Sequence, residues 1–472
     1  MTEFLDNLLN FTNVVNGMIW WPLVIIMLFA CGIYMTYQTR GIQFKHLITA
    51  IRLMFMSRKK SVTENTAGEI TPFQALMTAL AATVGNGNIA GVATAIIAGG
   101  AGAPFWMWIT ALFGMSTKFA EGMLGLKFRK QASDGEYYGG AMYYMEEGIP
   151  IKRLGKILAI WFSLAVMFMA TFGSGNMAQS NSIALALKSN FSVDYGFTSL
   201  ILFVLCIVIL IGGIKRIASF SDKLVPAMII LYVGAGLVII VTNLDLIPSI
   251  LAEVIDSAFT FQAVGGGIAG HTIREALRFG VERGTLSSES GIGSCSIPAA
   301  ASKGSEPVAQ GLVAMMGTFI DTIIVCSMTT FVILSSGLHH QSGLDSVALT
   351  IPAFTNGLNS ELGGTIVSIS SAIFGFTTLI GWAYIGESGF RYLFKTVNVN
   401  IYRGIFCIFA ALGALFQGQY LTIVWNFGGI ANAFMAIPNI IALFFLGKVV
   451  KEATSDYFNR LNSKQLSNPF GD

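Results

Sequence analysis

The stretch Ala79-Leu80-Ala81-Ala82-Thr83-Val84-Gly85-Asn86-Gly87-Asn88-Ile89-Ala90-Gly91-Val92-Ala93 sets two glycines and two asparagines in the middle of an apolar run. A glycine inside a helix costs about 1 kcal/mol against alanine, and asparagine competes with the backbone for hydrogen bonds. Within lipid, unwound backbone survives only if protein buries it or it lines a wet cavity. The stretch therefore reads as a discontinuous membrane helix. The N–H groups that open its second half face an anion, and the carbonyls freed at its first half can hold a cation. A small-residue packing face is the alternative, and the two asparagines argue against it. The stretch also fits the nucleotide-binding pattern G-x-G-x-x-A, but that motif needs a strand before it and a soluble βαβ unit.

The composition agrees with a membrane setting. Of 472 residues, 54% are hydrophobic and 11% charged, against about 25% charged in soluble proteins. Mean hydropathy is +0.68. These values exclude a soluble globular enzyme, a disordered chain and a nucleic-acid binder, and imply an all-α polytopic membrane protein. A net charge of +3 is too small to call for an acidic partner. Cys31, Cys206, Cys295, Cys326 and Cys407 show no metal-ligand spacing and read as small buried side chains.

Hydropathy outlines eleven spans, at about 20–37, 72–100, 104–126, 156–187, 196–214, 224–243, 257–283, 307–337, 362–390, 399–416 and 420–447. Glu3 and Asp6 precede the first span, while Arg40, Lys45, Arg52, Arg58, Lys59 and Lys60 follow it. That order is the reverse of a cleaved signal peptide. It puts the N-terminus outside and, with eleven spans, the C-terminus in the cytoplasm of a plasma (inner) membrane. With this topology only Lys188, of 28 Lys and Arg, falls clearly in an external loop.

A second interruption reads Val264-Gly265-Gly266-Gly267-Ile268-Ala269-Gly270. With the first span set aside, the two breaks fall in the first and sixth of ten spans. The expected organisation is an extra N-terminal helix and basic loop (1–71), two five-helix repeats of opposite orientation (72–248 and 249–447) and a cytoplasmic tail (448–472). Paired breaks in inverted halves point to a secondary transporter's binding site.

Several polar residues fall inside spans. Gln179 either hydrogen-bonds a substrate or ties helices together. Thr377 and Thr378 offer hard oxygen ligands for a small alkali ion, or else bond back to the previous turn. Trp382 either walls the pocket or lies at the cytoplasmic interface. Asp321, in Phe319-Ile320-Asp321-Thr322, is a candidate proton or cation site. Lys118, Glu121 and Glu387 read as snorkelling or packing charges. The polar stretch Gly284-Thr285-Leu286-Ser287-Ser288-Glu289-Ser290-Gly291-Ile292-Gly293-Ser294 is either a solvated cytoplasmic loop or a re-entrant turn or gate. His339 and His340 lie in an external loop and suggest no site.

The run Gly99-Gly100-Ala101-Gly102-Ala103-Pro104-Phe105-Trp106-Met107-Trp108-Ile109-Thr110-Ala111-Leu112-Phe113-Gly114 is similar to the signature of the alanine or glycine:cation symporter family, also called sodium:alanine symporters. Gly87-Asn88-Ile89-Ala90-Gly91-Val92, Gly175-Asn176-Met177, Phe319-Ile320-Asp321-Thr322 and Gly381-Trp382 extend the resemblance over most of the chain. The resemblance implies a leucine-transporter-type five-plus-five inverted repeat with one extra N-terminal helix. It further implies coupled uptake of a small neutral amino acid with sodium, and no other cofactor. By that analogy the N–H groups near Asn86, Gly87 and Asn88 meet the substrate carboxylate and Gln179 contacts substrate. Gly265, Ala269 and Gly270 line the side-chain pocket, with Trp382 as a wall. The carbonyls of Ala81 and Val84 and the hydroxyls of Thr377 and Thr378 then hold sodium. The chain departs from the family pattern G-T-G-N at Asn86, from S-N-E-A-G at Ser287–Gly291, and from a common bulky residue at Gly265. The changes at Asn86 and Gly265 imply a roomier pocket, open to serine or glutamine.

The rival readings are a proton-coupled carrier centred on Asp321, an ion channel and a membrane enzyme. No acid, base, nucleophile or metal constellation supports the enzyme, and no ATP-binding sequence is present, so uphill transport must run on an ion gradient.

Overall fold

The computed structural model describes residues 2–58, 67–131, 136–259, 273–341, 343–416, 421–466 and 468–470. Apart from one two-residue hairpin, β1 (Lys130–Gln131) with β2 (Tyr137–Tyr138), the described regular structure is helical. The chain opens with α1 (Thr2–Ile19) and α2 (Ile25–Gln38), joined through a kink at Trp21. Helix therefore extends well ahead of the expected first span. The polar residues of α1 lowered its hydropathy, but several are satisfied inside the protein: Asn16 Nδ2 donates to Glu282 at 2.9 Å, and Asn426 Nδ2 donates to Asn13 at 2.7 Å.

Two short helices follow, α3 (Ile42–Lys45) and α4 (Leu47–Met56). Next comes α5 (Pro72–Thr83), started by Pro72 and a reciprocal capping box between Thr71 and Gln74. The helix stops at the Gly85–Asn88 stretch and resumes as a π-helical turn (Gly87–Gly91) and α6 (Val92–Gly99), bent by 52° from α5. The discontinuous helix read from the sequence is present.

After it run α7 (Ala103–Lys127), α8 (Ala141–Gly148), α9 (Lys152–Phe172), α10 (Met177–Phe191), α11 (Tyr195–Leu210), α12 (Gly213–Thr242) and α13 (Ile247–Phe259). The second part holds α14 (Ile273–Ser288), α15 (Ser296–Ala300), α16 (Pro307–Thr318), α17 (Ser327–Ser336), α18 (Val347–Leu358), α19 (Leu362–Leu393), α20 (Val399–Leu415) and α21 (Leu421–Asn462). Among the described residues, six helices are long and apolar enough to cross a membrane, and the bent pair Pro72–Thr83 with Gly87–Gly99 makes seven. Tyr195–Leu210 and Val399–Leu415 are apolar but shorter.

Polarity runs inside out relative to a soluble protein. On α12, Ile230, Val238 and Val241 are exposed while Tyr232 and Ile239 are buried. Asn86, Asn88, Gln179, Lys118, Glu121 and Asp321 lie in the interior. Apolar side chains on the outer surface suit lipid, and buried polar groups in that setting need partners from the protein itself.

The expected second break, Gly265–Gly270, lies outside the described residues. The structure contains another. Beyond Ser288 the backbone leaves the helix, with Glu289, Gly291 and Gly293 at φ of 53°, 85° and 84°, and turns again only at α15. This interrupted run lies alongside α7 and in the same direction. Gly280 packs on Ala103, Gly284 on Met107, Ser290 on Gly114 and Ser296 on Gly125. The reading of 284–294 as a solvated loop is therefore overturned, because Thr285, Ser287, Ser288, Glu289, Ser290 and Ser294 are all buried. Hydropathy misplaced the stretch because it scores each polar side chain as if water were its only partner.

Candidate functional site

The first break is built by neutral amides. In a continuous helix the Gly85 N–H would close onto Ala81; here it donates to Asn88 Oδ1 at 3.0 Å. The Asn86 N–H donates to Gln179 Oε1 at 3.1 Å, and Gln179 Nε2 donates to the Ser174 carbonyl at 2.9 Å. The Asn88 N–H turns back to the Gly85 carbonyl at 3.1 Å. Two of the three N–H groups expected to meet a carboxylate thus have protein partners in this conformation. Gly87 differs: it is partly exposed, while the residues around it are buried.

Helix α19 supplies one face to this break. Ser371, Gly375, Thr378 and Trp382 follow one another at helical spacing. The Ser371 hydroxyl donates to Asn86 Oδ1 at 2.6 Å, and Asn86 Nδ2 donates to the Ser371 carbonyl at 3.3 Å. A side chain at Gly375 would collide with Asn86, and one at Gly85 would collide with Thr378 Oγ1. Trp382 is buried against Gly175, where α9 and α10 meet. Further along, Gly381 packs on Ala82.

The predicted cation ligands divide here. Thr377 Oγ1 is spent on the carbonyls of Ile373 and Phe374, at 3.1 and 2.9 Å. Thr378 Oγ1 is buried and has no hydrogen-bond partner. A buried hydroxyl with no partner is costly. It is the kind of group that an oxygen-seeking ion would satisfy. Val84 ends α5 with its N–H on the Leu80 carbonyl at 2.7 Å, and Ala81 lies one turn before the break.

Asp321 lies in a π-helical stretch, Phe319–Cys326, between α16 and α17. Its carboxylate accepts from Asn88 Nδ2 at 2.7 Å, from the Ser287 hydroxyl at 3.0 and 3.2 Å, and from the Thr322 hydroxyl at 2.8 Å. It thereby joins the first break to the last turn of α14. Thr329 Oγ1 donates to the Asn88 carbonyl at 2.7 Å from the same side.

The second break is held by charges. Lys118 is fully buried and its Nζ donates to the Ser288 carbonyl at 2.8 Å. Glu121, one turn on along α7, accepts from the Gly293 N–H at 3.0 Å and from Asn439 Nδ2 at 2.7 Å. Neither residue snorkels. They cap the two sides of the break, a cation at the carbonyl end of α14 and an anion at the N–H end before α15. Glu387 is a packing charge, paired with Arg391 at 3.0 Å and Arg403 at 2.7 Å. Thr329 and Ser371 were missed by the sequence reading, and Ser287 was singled out only as part of the 284–294 stretch. The i, i+4, i+7, i+11 series on α19 was the available signal for Ser371.

Beside the second half of the broken helix lies a cavity of about 250 Å³ lined by Gly91, Thr94, Arg283, Asp345, Trp425 and Asn426, among others. Thr94 Oγ1 donates to Asp345 at 3.0 Å, and the Arg283 guanidinium lies 5.7 Å from the Trp425 ring centre. Gly265, Ala269 and Gly270, the expected pocket lining, lie outside the described residues.

Comparison with known proteins agrees over the whole chain. Residues 5–470 match the family model described as the sodium:alanine symporter family. An uncharacterized transporter of Haemophilus influenzae is 43% identical over 449 residues, covering 95% of this chain and 96% of its own. The sodium/alanine symporter AgcS of Methanococcus maripaludis is 42% identical over 457 residues, 97% of this chain and 98% of its own. The "Probable sodium/glutamine symporter GlnT" of Bacillus subtilis is 34% identical, over 97% of this chain and 91% of its own. Among solved structures, MhsT in complex with L-phenylalanine matches with a TM-score of 0.53 at 14% identity, over 82% of this chain and 98% of that one. A manganese transporter of Eremococcus coleocola matches with a TM-score of 0.52 at 15% identity, over 81% of this chain and 83% of that one. The structural likeness is one of fold.

Proposed function

The chain belongs to the sodium:alanine symporter family and is a multi-pass sodium-coupled amino-acid symporter rather than an enzyme, and from that premise we propose that it takes up a small neutral amino acid such as alanine or glycine by alternating access. The observation that carries this reading is the partnerless, buried Thr378 hydroxyl set against the broken helix at Gly85. Sodium would be held there by Thr378, with the carbonyls of Ala81 and Val84 and a lone pair of Thr377, whose hydroxyl hydrogen is the part engaged with the preceding turn. The substrate carboxylate would approach at Gly87, displacing the contact that Gln179 makes with the Asn86 N–H. Asn88 would position the turn, and Trp382 would close one side. Gly265, Ala269 and Gly270 would add the side-chain pocket.

The topology we favour has eleven spans, the N-terminus outside and the C-terminus in the cytoplasm of the plasma membrane. An N-terminal helix precedes two five-helix repeats, 72–248 and 249–447, and the tail follows from 448. We pair the 289–295 break with the first; the glycine run at 265–270 lies outside the described residues.

Each sodium moving down 100 mV supplies about 2.3 kcal/mol before its concentration gradient. Tenfold accumulation of a neutral solute needs about 1.4 kcal/mol. A larger substrate, serine or glutamine, is the second reading, favoured by 34% identity to GlnT. Asn86 does not favour it, because its amide is turned onto Ser371. Proton coupling through Asp321 is the remaining alternative.

The test is uptake of labelled alanine into proteoliposomes with an inward sodium gradient, repeated with potassium and with a matched proton gradient. Sodium-dependent accumulation is expected, with the other amino acids ranked as unlabelled competitors. Uptake that follows protons and ignores sodium would transfer the coupling to Asp321.

A further inference from the structure

Two histidines that suggested nothing in the sequence meet a carboxylate in the fold. α17 ends at Ser336, and Gly337, at φ 66°, turns the chain into a single 3₁₀ turn, Leu338–His340. The turn brings His339 Nε2 to 3.3 Å from Glu253 Oε1 of α13. It also sets the two imidazole rings side by side, their centres 3.9 Å apart. One ligand atom from each of Glu253, His339 and His340 lies within 4.8 Å of the others. The His339 side chain is only 6% exposed, yet its Nδ1 has no partner. His340 is exposed.

We propose that Glu253, His339 and His340 form a binding site for a divalent transition-metal ion of the zinc type, which clamps α13 to the end of α17. Two imidazoles and a carboxylate are a zinc ligand set, with bonds of about 2.0–2.2 Å. Tetrahedral bonds of that length set neighbouring ligand atoms roughly 3.3–3.6 Å apart. The Nε2 to Oε1 separation of 3.3 Å is already one edge of that tetrahedron. His340, on the solvent side, offers the third ligand from within 4.8 Å of the other two, and water would take the fourth position. Magnesium or calcium would not select this set, since both prefer oxygen ligands alone.

The clamp has a mechanical consequence. α13 leads through residues 260–272 into α14, the first half of the second broken helix. It packs at the same end of the molecule as the α6–α7 turn, where Ser257 and Ala258 press on Gly102. Fixing α13 to α17 would restrain α14 against its neighbours, so bound zinc should slow transport. This consequence rests on the transport reading above; the metal site does not.

Zinc chloride titrated calorimetrically into the purified full-length protein tests the site. The wild type should bind one zinc per chain. His340→Ala and Glu253→Gln, both at partly or fully exposed positions, should each weaken binding by at least about tenfold. Equal affinity in all three proteins would overturn the site. In proteoliposomes, saturating zinc should slow sodium-driven alanine uptake by the wild type and leave His340→Ala unaffected. Wild-type uptake indifferent to saturating zinc would overturn the clamp. An absence of sodium-driven uptake even without zinc would instead count against the transport reading, with the calorimetry still deciding the site.

Discussion

Replacing Thr378 separates an ion ligand from a structural hydroxyl. Its Oγ1 is buried beside Gly85 and has no hydrogen-bond partner. Thr378→Ala therefore breaks no hydrogen bond of that oxygen and removes an uncompensated polar group. Without sodium, the variant should melt at or slightly above the wild-type temperature, since burying such a group unpaired costs about 1–3 kcal/mol. With sodium the order should reverse. A contact between a hydroxyl and a full charge is worth about 1.5–3 kcal/mol. At about 1.4 kcal/mol per decade, its loss should raise the sodium concentration for half-maximal alanine uptake by roughly 10- to 100-fold. Thr378→Ser, which keeps the oxygen, should stay near the wild type. Thr377→Ala should shift sodium dependence less, because its oxygen already bonds the Ile373 and Phe374 carbonyls. The assay is initial-rate uptake in proteoliposomes across a sodium series, with melting curves in sodium and in potassium. A Thr378→Ala protein whose sodium dependence lies within twofold of the wild type would refute the assignment of this site.

Three further substitutions probe the surroundings. Gly85→Ala would drive its methyl into Thr378 Oγ1 and to 3.3 Å from Gln179 Oε1; it should abolish sodium-driven uptake while the protein still folds, as judged by a monodisperse chromatographic profile. Lys118→Met would leave the Ser288 carbonyl uncapped and the Glu121 carboxylate buried without the cation one turn away. Breaking such a buried arrangement costs about 3–5 kcal/mol, so a clear fall in melting temperature is expected, and an unchanged melt would show that the break does not need the charge. Asp321→Asn replaces one acceptor oxygen by an NH₂ facing Asn88, Ser287 or Thr322, all donors to it now. A loss of about 1–3 kcal/mol is expected, with the remaining uptake still driven by sodium; uptake that loses all response to a proton gradient while keeping its rate would favour the proton alternative.

What the sequence made legible was the backbone's difficulty rather than its partners. Gly85-Asn86-Gly87-Asn88 announces a break because no lipid-facing helix tolerates it. At 284–294 the sequence leaves a loop and a re-entrant turn both open, for the converse reason. α14 carries Arg274, Glu275, Arg278, Glu282 and Arg283, and the residues after it are serines and glycines. Averaged over a window, these resemble a loop. Their burial depends on Lys118, Glu121 and Asn439, which come from elsewhere in the chain. A sum over neighbours in sequence cannot register such partners. The same holds for α1, whose asparagines look solvated until Glu282 and Asn426 are placed beside them. Thr377 and Thr378 were indistinguishable as a pair in the sequence. The fold distinguishes them, because only one hydroxyl points where the preceding turn's carbonyls can reach it.

The contrast between the two breaks bears on which of them can exchange an ion. Each leaves a carbonyl end and an N–H end, with partial charges that a fixed or a mobile group can neutralise. At 289–295 the protein supplies fixed groups: an ammonium on the Ser288 carbonyl and a carboxylate on the Gly293 N–H. A sodium ion arriving there would meet a resident cation, and a substrate carboxylate would meet a resident anion. At 84–88 the partners are the neutral amides of Asn88 and Gln179, and a hydroxyl beside them has no partner. Neutral groups can be rearranged at the cost of a few hydrogen bonds, whereas moving Lys118 or Glu121 would strand a buried charge. On the proposed reading, the first break is thus the one whose end charges a transient guest satisfies. The second serves as its rigid counterpart, joined to it where the Ser287 hydroxyl and the Asn88 amide share the carboxylate of Asp321.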